Sequence, residues 1–252
     1  MSKSLMSFTP GGYAYAPGGF AYSQGVVALP GFSMLHCRFA APVPFAAGLQ
    51  RISRLLTDSG RPMAALCAME LRLPQPLGFD DFGAINLDYV DALTASGVPI
   101  VGASPIARSD VAPVANGPVE LSVHGFTFTL PSVDDLPCFV VSGSSEFPQD
   151  GRFPEDIRRA GETSDEAMHD KAMWTIGAVE ARMAMLGVDW SHATTTQVYA
   201  AHDVHPAMAL LSARQGNGSQ GVVWHHSRPP VQGWEFEMDV KGVAGVRFLS
   251  AS

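Results

Sequence analysis

Charge is what this sequence has least of. Only 16% of its 252 residues are Asp, Glu, Lys or Arg, against 46% apolar. A chain so lightly charged can bury a large core, and part of its surface is expected to be covered by other subunits. Basic residues are the scarcer sign, with 16 Lys and Arg against 24 Asp and Glu, for a formal charge of −8 and a pI near 5.4. Binding to a phosphate backbone or an anionic bilayer needs a basic face, so no nucleic acid and no membrane partner is expected. An anionic ligand would have to be held by a few local arginines. Cysteine is also rare. Cys37, Cys67 and Cys138 are odd in number, widely spaced and set in apolar runs, which reads as buried thiols in a reducing cytoplasm. No pair has metal-ligand spacing, so no metal is expected. No apolar run approaches the roughly 18 residues of a membrane span, and residues 1–10 lack the apolar core of a signal peptide.

What is present is a chain of periodic segments punctuated by 25 glycines and 19 prolines. Residues 1–21, rich in Gly, Pro, Ser and aromatics, read as an extended N-terminal arm. Residues 22–27 and 32–39 form a hairpin pattern around Pro30-Gly31. Leu49, Ile52, Leu55 and Leu56 make a helical stripe over 46–57, with Arg51 and Arg54 outside it and Gly60 closing it. Residues 63–73 suit a central strand, 79–93 a helix, and 98–103 and 119–130 two further strands. After a linker, 131–137, a strand (139–144) leads through a Gly/Pro-rich loop (147–163) to a long helix over 164–186. That helix has Thr163 or Ser164 as N-cap and Gly187 as C-cap. A strand (193–200), a short helix (206–214), a strand (221–225) and a last strand (233–248) follow. The two halves repeat one order of landmarks, which reads as a diverged internal duplication.

The last strand is the most informative stretch. Trp234, Phe236, Met238 and Val240 fall on one face by the two-residue period, and Glu235, Glu237 and Asp239 on the other. Arg228 lies just before it. A row of carboxylates beside a fixed cation can hold an anionic substrate and activate water; the competing reading is a solvated acidic strand with a salt-bridging arginine. The first half offers a counterpart, Arg108 followed by Glu120.

Several motifs carry a family resemblance. Tyr22-Ser23-Gln24-Gly25-Val26, the helix Phe82-Gly83-Ala84-Ile85-Asn86-Leu87-Asp88-Tyr89, and Pro105-Ile106-Ala107-Arg108-Ser109-Asp110-Val111 resemble signature segments of the reactive-intermediate deaminase (Rid, or YjgF) proteins. Val141-Ser142-Gly143, and Arg228 followed by Glu235 and Glu237, are similar to the matching segments in the second half. The resemblance implies an α+β fold of two tandem chorismate-mutase-like ββαβαββ domains, 22–131 and 132–252, in a three-fold ring, as a homotrimer. It also implies which residues act. Arg108 and Arg228 would grip a substrate carboxylate, and Glu120 and Glu235 would position water. Tyr22, Asn86 and Ser142 would line the pocket. Apart from the resemblance, Arg38, Glu237 and His226 are further candidate substrate contacts. Neither half holds the full set, so one composite site between unlike halves is expected.

The implied chemistry is hydrolysis of an enamine or imine to a ketone and ammonia, which needs a carboxylate anchor, a positioned water and an acid–base group, and no cofactor. Arginine suits the anchor because its planar fork stays charged and binds carboxylate in bidentate fashion. Family relatives include 2-aminomuconate deaminases, so an unsaturated amino dicarboxylate is the expected substrate, and two arginines, one per carboxylate, are the physical requirement. The alternatives are a non-catalytic small-molecule-binding ring and a hydrolase of another conjugated acid.

Overall fold

The structure is a computed structural model that describes residues 4–134, 136–214 and 220–250. Its helices follow the expected stripes. Helix α1 (Phe45–Asp58) buries Leu49, Ile52 and Leu56, and α2 (Phe79–Ala95) buries Phe82, Tyr89 and Leu93. Helix α3 (Asp165–Leu186) starts where the Ser164 side chain accepts the Ala167 N–H, and ends at Gly187 with φ 74°. A glycine is favoured there because that backbone conformation crowds a Cβ. Helix α4 (His205–Arg214) is shorter. No helix among the described residues is long and apolar enough to cross a membrane.

The strands are β1 (Met6–Phe8), β2 (Tyr13–Ala16), β3 (Gly25–Ala28), β4 (Phe32–Pro44), β5 (Leu66–Arg72) and β6 (Ala107–Pro113), then β7 (Ser122–Pro131), β8 (Phe139–Ser145), β9 (Thr195–Ala200), β10 (Val223–Arg228), β11 (Phe236–Gly242) and β12 (Gly245–Leu249). They form one mixed sheet in the order β1-β2-β3-β8-β11-β9-β10-β6-β5-β7-β4-β12.

This order overturns the expectation of two tandem chorismate-mutase-like domains. Strands from the two halves are interleaved: β3 pairs with β8, β10 with β6, and the C-terminal β12 runs parallel to β4. Local patterning sets which face a strand presents, whereas its neighbour is set by long-range pairing. The N-terminal segment is built into the sheet: β1 and β2 extend it, and Tyr13 is buried with its hydroxyl donating to Leu66 O at 3.1 Å. Two smaller expectations change. Residues 98–103 are not a strand, since Gly97 and Gly102 take φ of 91° and 78°, and the strand begins at Ala107. The last strand is broken at 243–244 into β11 and β12.

The two-residue reading of β11 holds. Phe236, Met238 and Val240 enter the core formed with α3, while Glu237, Asp239 and Lys241 lie on the other face, and all are buried. Lys241 pairs with Glu70 of β5, a strand that is not its neighbour in the sheet. The polar face therefore closes on itself, and the carboxylate row points into a buried interior.

Candidate active site

Where the two halves meet there is a cavity of about 320 Å³. Its polar wall is formed by Tyr22, Asn86, Arg108, Asp110, Arg182 and Glu237, with Ser144 and Ser145. Its apolar wall is formed by Phe20, Phe79, Phe82, Phe147, Pro230 and Trp234.

Arg108 is placed by β6 and enclosed by α2. Its guanidinium lies between the rings of Tyr89 (4.5 Å) and Tyr22 (4.7 Å), with Phe82 at 5.6 Å. Such aromatic faces attract a cation and exclude water from it. Nε meets Asp110 Oδ2 at 2.6 Å, and Nη2 donates to Asn86 Oδ1 at 2.5 Å. Nη1 is buried and has no hydrogen-bond partner among the described residues, Nε meets Asp110 as an ion pair without hydrogen-bond geometry, and Trp234 Nε1 is also without a partner. Buried donors without acceptors are costly, and a ligand that supplies acceptors removes the cost. Arg182, on α3, enters from the opposite half. Its Nη1 donates to Ser142 O (3.0 Å) and Gly143 O (3.1 Å), which fixes the guanidinium at the cavity wall. Burial lowers its pKa, opposed by Tyr22 and Glu237.

Glu237 is the acid–base candidate. Burial, then Asp110 and Asp239, push its carboxyl well above the usual carboxylate range, while Arg72 and the Asp110 backbone N–H work the other way. Burial in this setting favours its protonated form. Asp110 is raised by burial against the opposing charge of Arg108. Burial also raises Tyr22, again opposed by Arg108. The apolar wall is stacked aromatic surface: Phe147 on Trp234 at 5.4 Å, and Phe79 on Phe153 at 4.5 Å. No group of three or more His, Cys, Asp or Glu among the described residues is placed to hold a metal ion.

Of the residues singled out in the sequence, Tyr22, Asn86, Arg108 and Glu237 come together here, so residues of unlike halves do share one cavity. Ser142 lies beside it, accepting the Arg108 N–H at 3.0 Å and donating to Ser23 O at 2.6 Å. The others lie elsewhere. Arg228, Glu120 and His226 are exposed. Glu235 contacts His202 Nε2 at 3.1 Å. Arg38 sits with His36, His124 and His225 in the polar interior. Arg182, Asp110 and the aromatic wall were not assigned a role from the sequence. In α3, Lys171 and Thr175 are polar yet buried, and Arg182 continues their face.

Comparison with known proteins places the chain in a family. A protein-family model described as 2-aminomuconate deaminase CnbZ matches residues 5–247. A 2-amino-5-chloromuconate deaminase from Comamonas testosteroni is 36% identical over 239 residues, covering 93% of this chain and 95% of that protein. Among solved structures, a chorismatase superposes with a TM-score of 0.52 at 11% identity, over 92% of this chain and 77% of its own. The YjgF gene product of E. coli gives a TM-score of 0.31 at 18% identity, over 53% of this chain and 93% of its own. The likeness over nearly the whole chain is thus to a chorismatase fold, in place of the tandem Rid-type domains expected from the motifs. With a family match that spans almost every residue and a relative aligned nearly end to end, the chain belongs to the 2-aminomuconate deaminase CnbZ family and is an enzyme of the deaminase class.

Proposed function

We propose that the protein hydrolyses the enamine–imine of an unsaturated amino dicarboxylate of the 2-aminomuconate type, without a cofactor, and releases ammonia. The observation that carries this reading is the presence of two guanidinium groups in a single cavity with the buried Glu237 carboxyl, Asp110 being paired with one of them. Arg108 and Arg182 supply the two cations that a dicarboxylate requires. The relative named for 2-amino-5-chloromuconate supports the substrate class.

One carboxyl group suffices for the chemistry. Neutral Glu237 gives its proton to the enamine carbon, and the nitrogen lone pair forms an iminium. The resulting carboxylate takes a proton from water as the water oxygen bonds to the iminium carbon. The carboxyl then protonates the nitrogen of the carbinolamine, the C–N bond breaks, and ammonia leaves. The hydroxyl proton returns to Glu237 as the ketone forms. One water is consumed and the residue ends as it began. The apolar wall shields the iminium from bulk solvent, and the two arginines hold the reacting carbon at the carboxyl.

The test is ammonia release from 2-aminomuconate, followed together with loss of its conjugated absorbance. Glu237→Gln keeps the shape but cannot exchange a proton, so kcat should fall about 10²–10⁴-fold with little change in KM. A Glu237→Gln enzyme that retains the wild-type kcat would sink the reading.

A further inference from the structure

Strand β8 carries one residue more than its partner β11. Glu237 pairs with Ser145 and Met238 with Ser144, but Val240 pairs with Val141, so Ser142 and Gly143 together face Asp239. This is a β-bulge, a device that re-aims side chains beside functional sites. Three parts of the cavity meet at it. Ser142 Oγ accepts the Arg108 N–H. The carbonyls of Ser142 and Gly143 accept from Arg182. The Glu237 carboxyl lies over the Cα of Gly143, in the space a side chain would occupy. A Cβ on Gly143 would collide with Glu237 Oε1, meet Cδ at 3.0 Å and meet Ser109 Cα at 3.3 Å. Gly143 does not take a positive φ, so its own backbone conformation does not require glycine; the Glu237 carboxyl does so first, with the Ser109 Cα as a lesser contact.

We propose that Gly143 is a positioning residue for the acid–base group: its missing side chain leaves the slot in which the Glu237 carboxyl is held against the backbone of Asp110, inside the cavity. The inference rests on the role of Glu237 given above. The charged and titratable groups around the slot are Asp110 from β6, Asp239 from β11, Arg72 from β5, Arg182 from α3, and Tyr22. A carboxyl driven out of the slot loses the burial that keeps it protonated, so it ionises at lower pH.

The experiment compares Gly143→Ala, Glu237→Asp and the double variant, with Glu237→Gln as reference. Gly143→Ala should lower kcat about tenfold or more, with KM within about threefold, and move the basic limb of the pH–rate profile to lower pH. Aspartate is one methylene shorter and makes room for the new methyl group. The double variant should therefore turn over faster than Gly143→Ala alone, although Glu237→Asp by itself is slower than wild type. Should Gly143→Ala fail to fold, the double variant still decides: folded and active supports the slot, unfolded overturns it. A Gly143→Ala enzyme with wild-type kcat and pH profile overturns the proposal while inactive Glu237→Gln leaves the reaction standing. A double variant no faster than Gly143→Ala overturns it too. Full activity in Glu237→Gln would instead remove the reaction on which it rests.

Discussion

Arg108 can meet an anion through Nη1. Nε is ion-paired with Asp110 without hydrogen-bond geometry, Nη2 donates to Asn86, two tyrosine rings lie against the guanidinium, and Nη1 is left without an acceptor. Lysine in its place would keep a charge but lose the fixed fork, so it cannot serve Asp110, Asn86 and a ligand together. A hydrogen bond to a charged group contributes about 1.5–3 kcal/mol, so Arg108→Lys should lower kcat/KM for the dicarboxylate about ten- to hundredfold. Most of the loss should fall in KM, because anchoring acts on ground and transition states alike. Steady-state kinetics with the dicarboxylate and its monoester would check this; an equal loss on both substrates for Arg108→Lys and for Arg182→Lys would argue against one arginine per carboxylate. Arg108 was legible because its strand carries a recognisable motif. Its second-half counterpart was not, because Arg228 alternates outward on β10 and is exposed. The second cation comes from a helix, where a lone arginine beside an apolar stripe looks like an ordinary solvated side chain.

At the level of elements, the aromatic wall and the start of β11 are tied to α3 by one buried ion pair. Glu146 and Lys171 are both fully buried and 3.2 Å apart. The same carboxylate accepts the backbone N–H of Glu235 (2.6 Å) and Phe236 (3.1 Å). Glu146 therefore sits between Ser145 and Phe147 in sequence and fixes the segment that carries Trp234 and Glu237. Burial raises its pKa, against Lys171 and those backbone donors. Removing one partner of such a pair strands a charge, so Lys171→Met should cost roughly 3–5 kcal/mol. Adding Glu146→Gln should restore part of this, because no charge remains buried and the amide oxygen keeps one of the two backbone hydrogen bonds. Urea unfolding of the two single variants and the double would show it; a double variant less stable than Lys171→Met would refute the stranded-charge account. Most elements here were readable from periodicity, including α3 with its Ser164 and Gly187 caps. Strand β6 was not. Its buried Arg108, Ser109 and Asp110 look like a polar turn, and the β-branched residues at 98–101 drew the strand assignment to a segment that its glycines break.

On the scale of the whole molecule, hydrophobic patterning indicated how each half would pack but not that the halves exchange strands. Nothing in a two-residue period says that β3 will pair with β8 or β12 with β4. The consequence of that exchange is a sheet whose polar face is enclosed. Glu70 meets Lys241 and Gln197 there, with His36 Nε2 at 3.6 Å, and although burial pushes its carboxyl up, Lys241, His36 and Arg72 hold it well below the usual range. Three imidazoles share this interior. Burial, with nearby cations, lowers His36 to about 3, His124 to about 3 and His225 to about 4. In the unfolded chain each would titrate near 6.5. Below that pH the unfolded state binds more protons at these positions than the folded state does. Their contribution to stability is therefore fully present above about pH 6.5 and is lost as pH falls towards about 4 and 3. The buried carboxyls of Asp110, Glu146, Glu237 and Asp239 are raised, so they act in the opposite sense. Wild-type acid stability is a sum of both. A difference between variants separates them. His124 is the suitable site, because its Nδ1 has no partner among the described residues and its loss breaks no hydrogen bond at that atom. His124→Leu should have nearly wild-type stability at pH 7.5 and become progressively more stable than wild type between pH 6.5 and 4. Urea midpoints measured across that range should diverge; parallel curves would mean that the imidazole protonates as readily in the folded interior as in the unfolded chain.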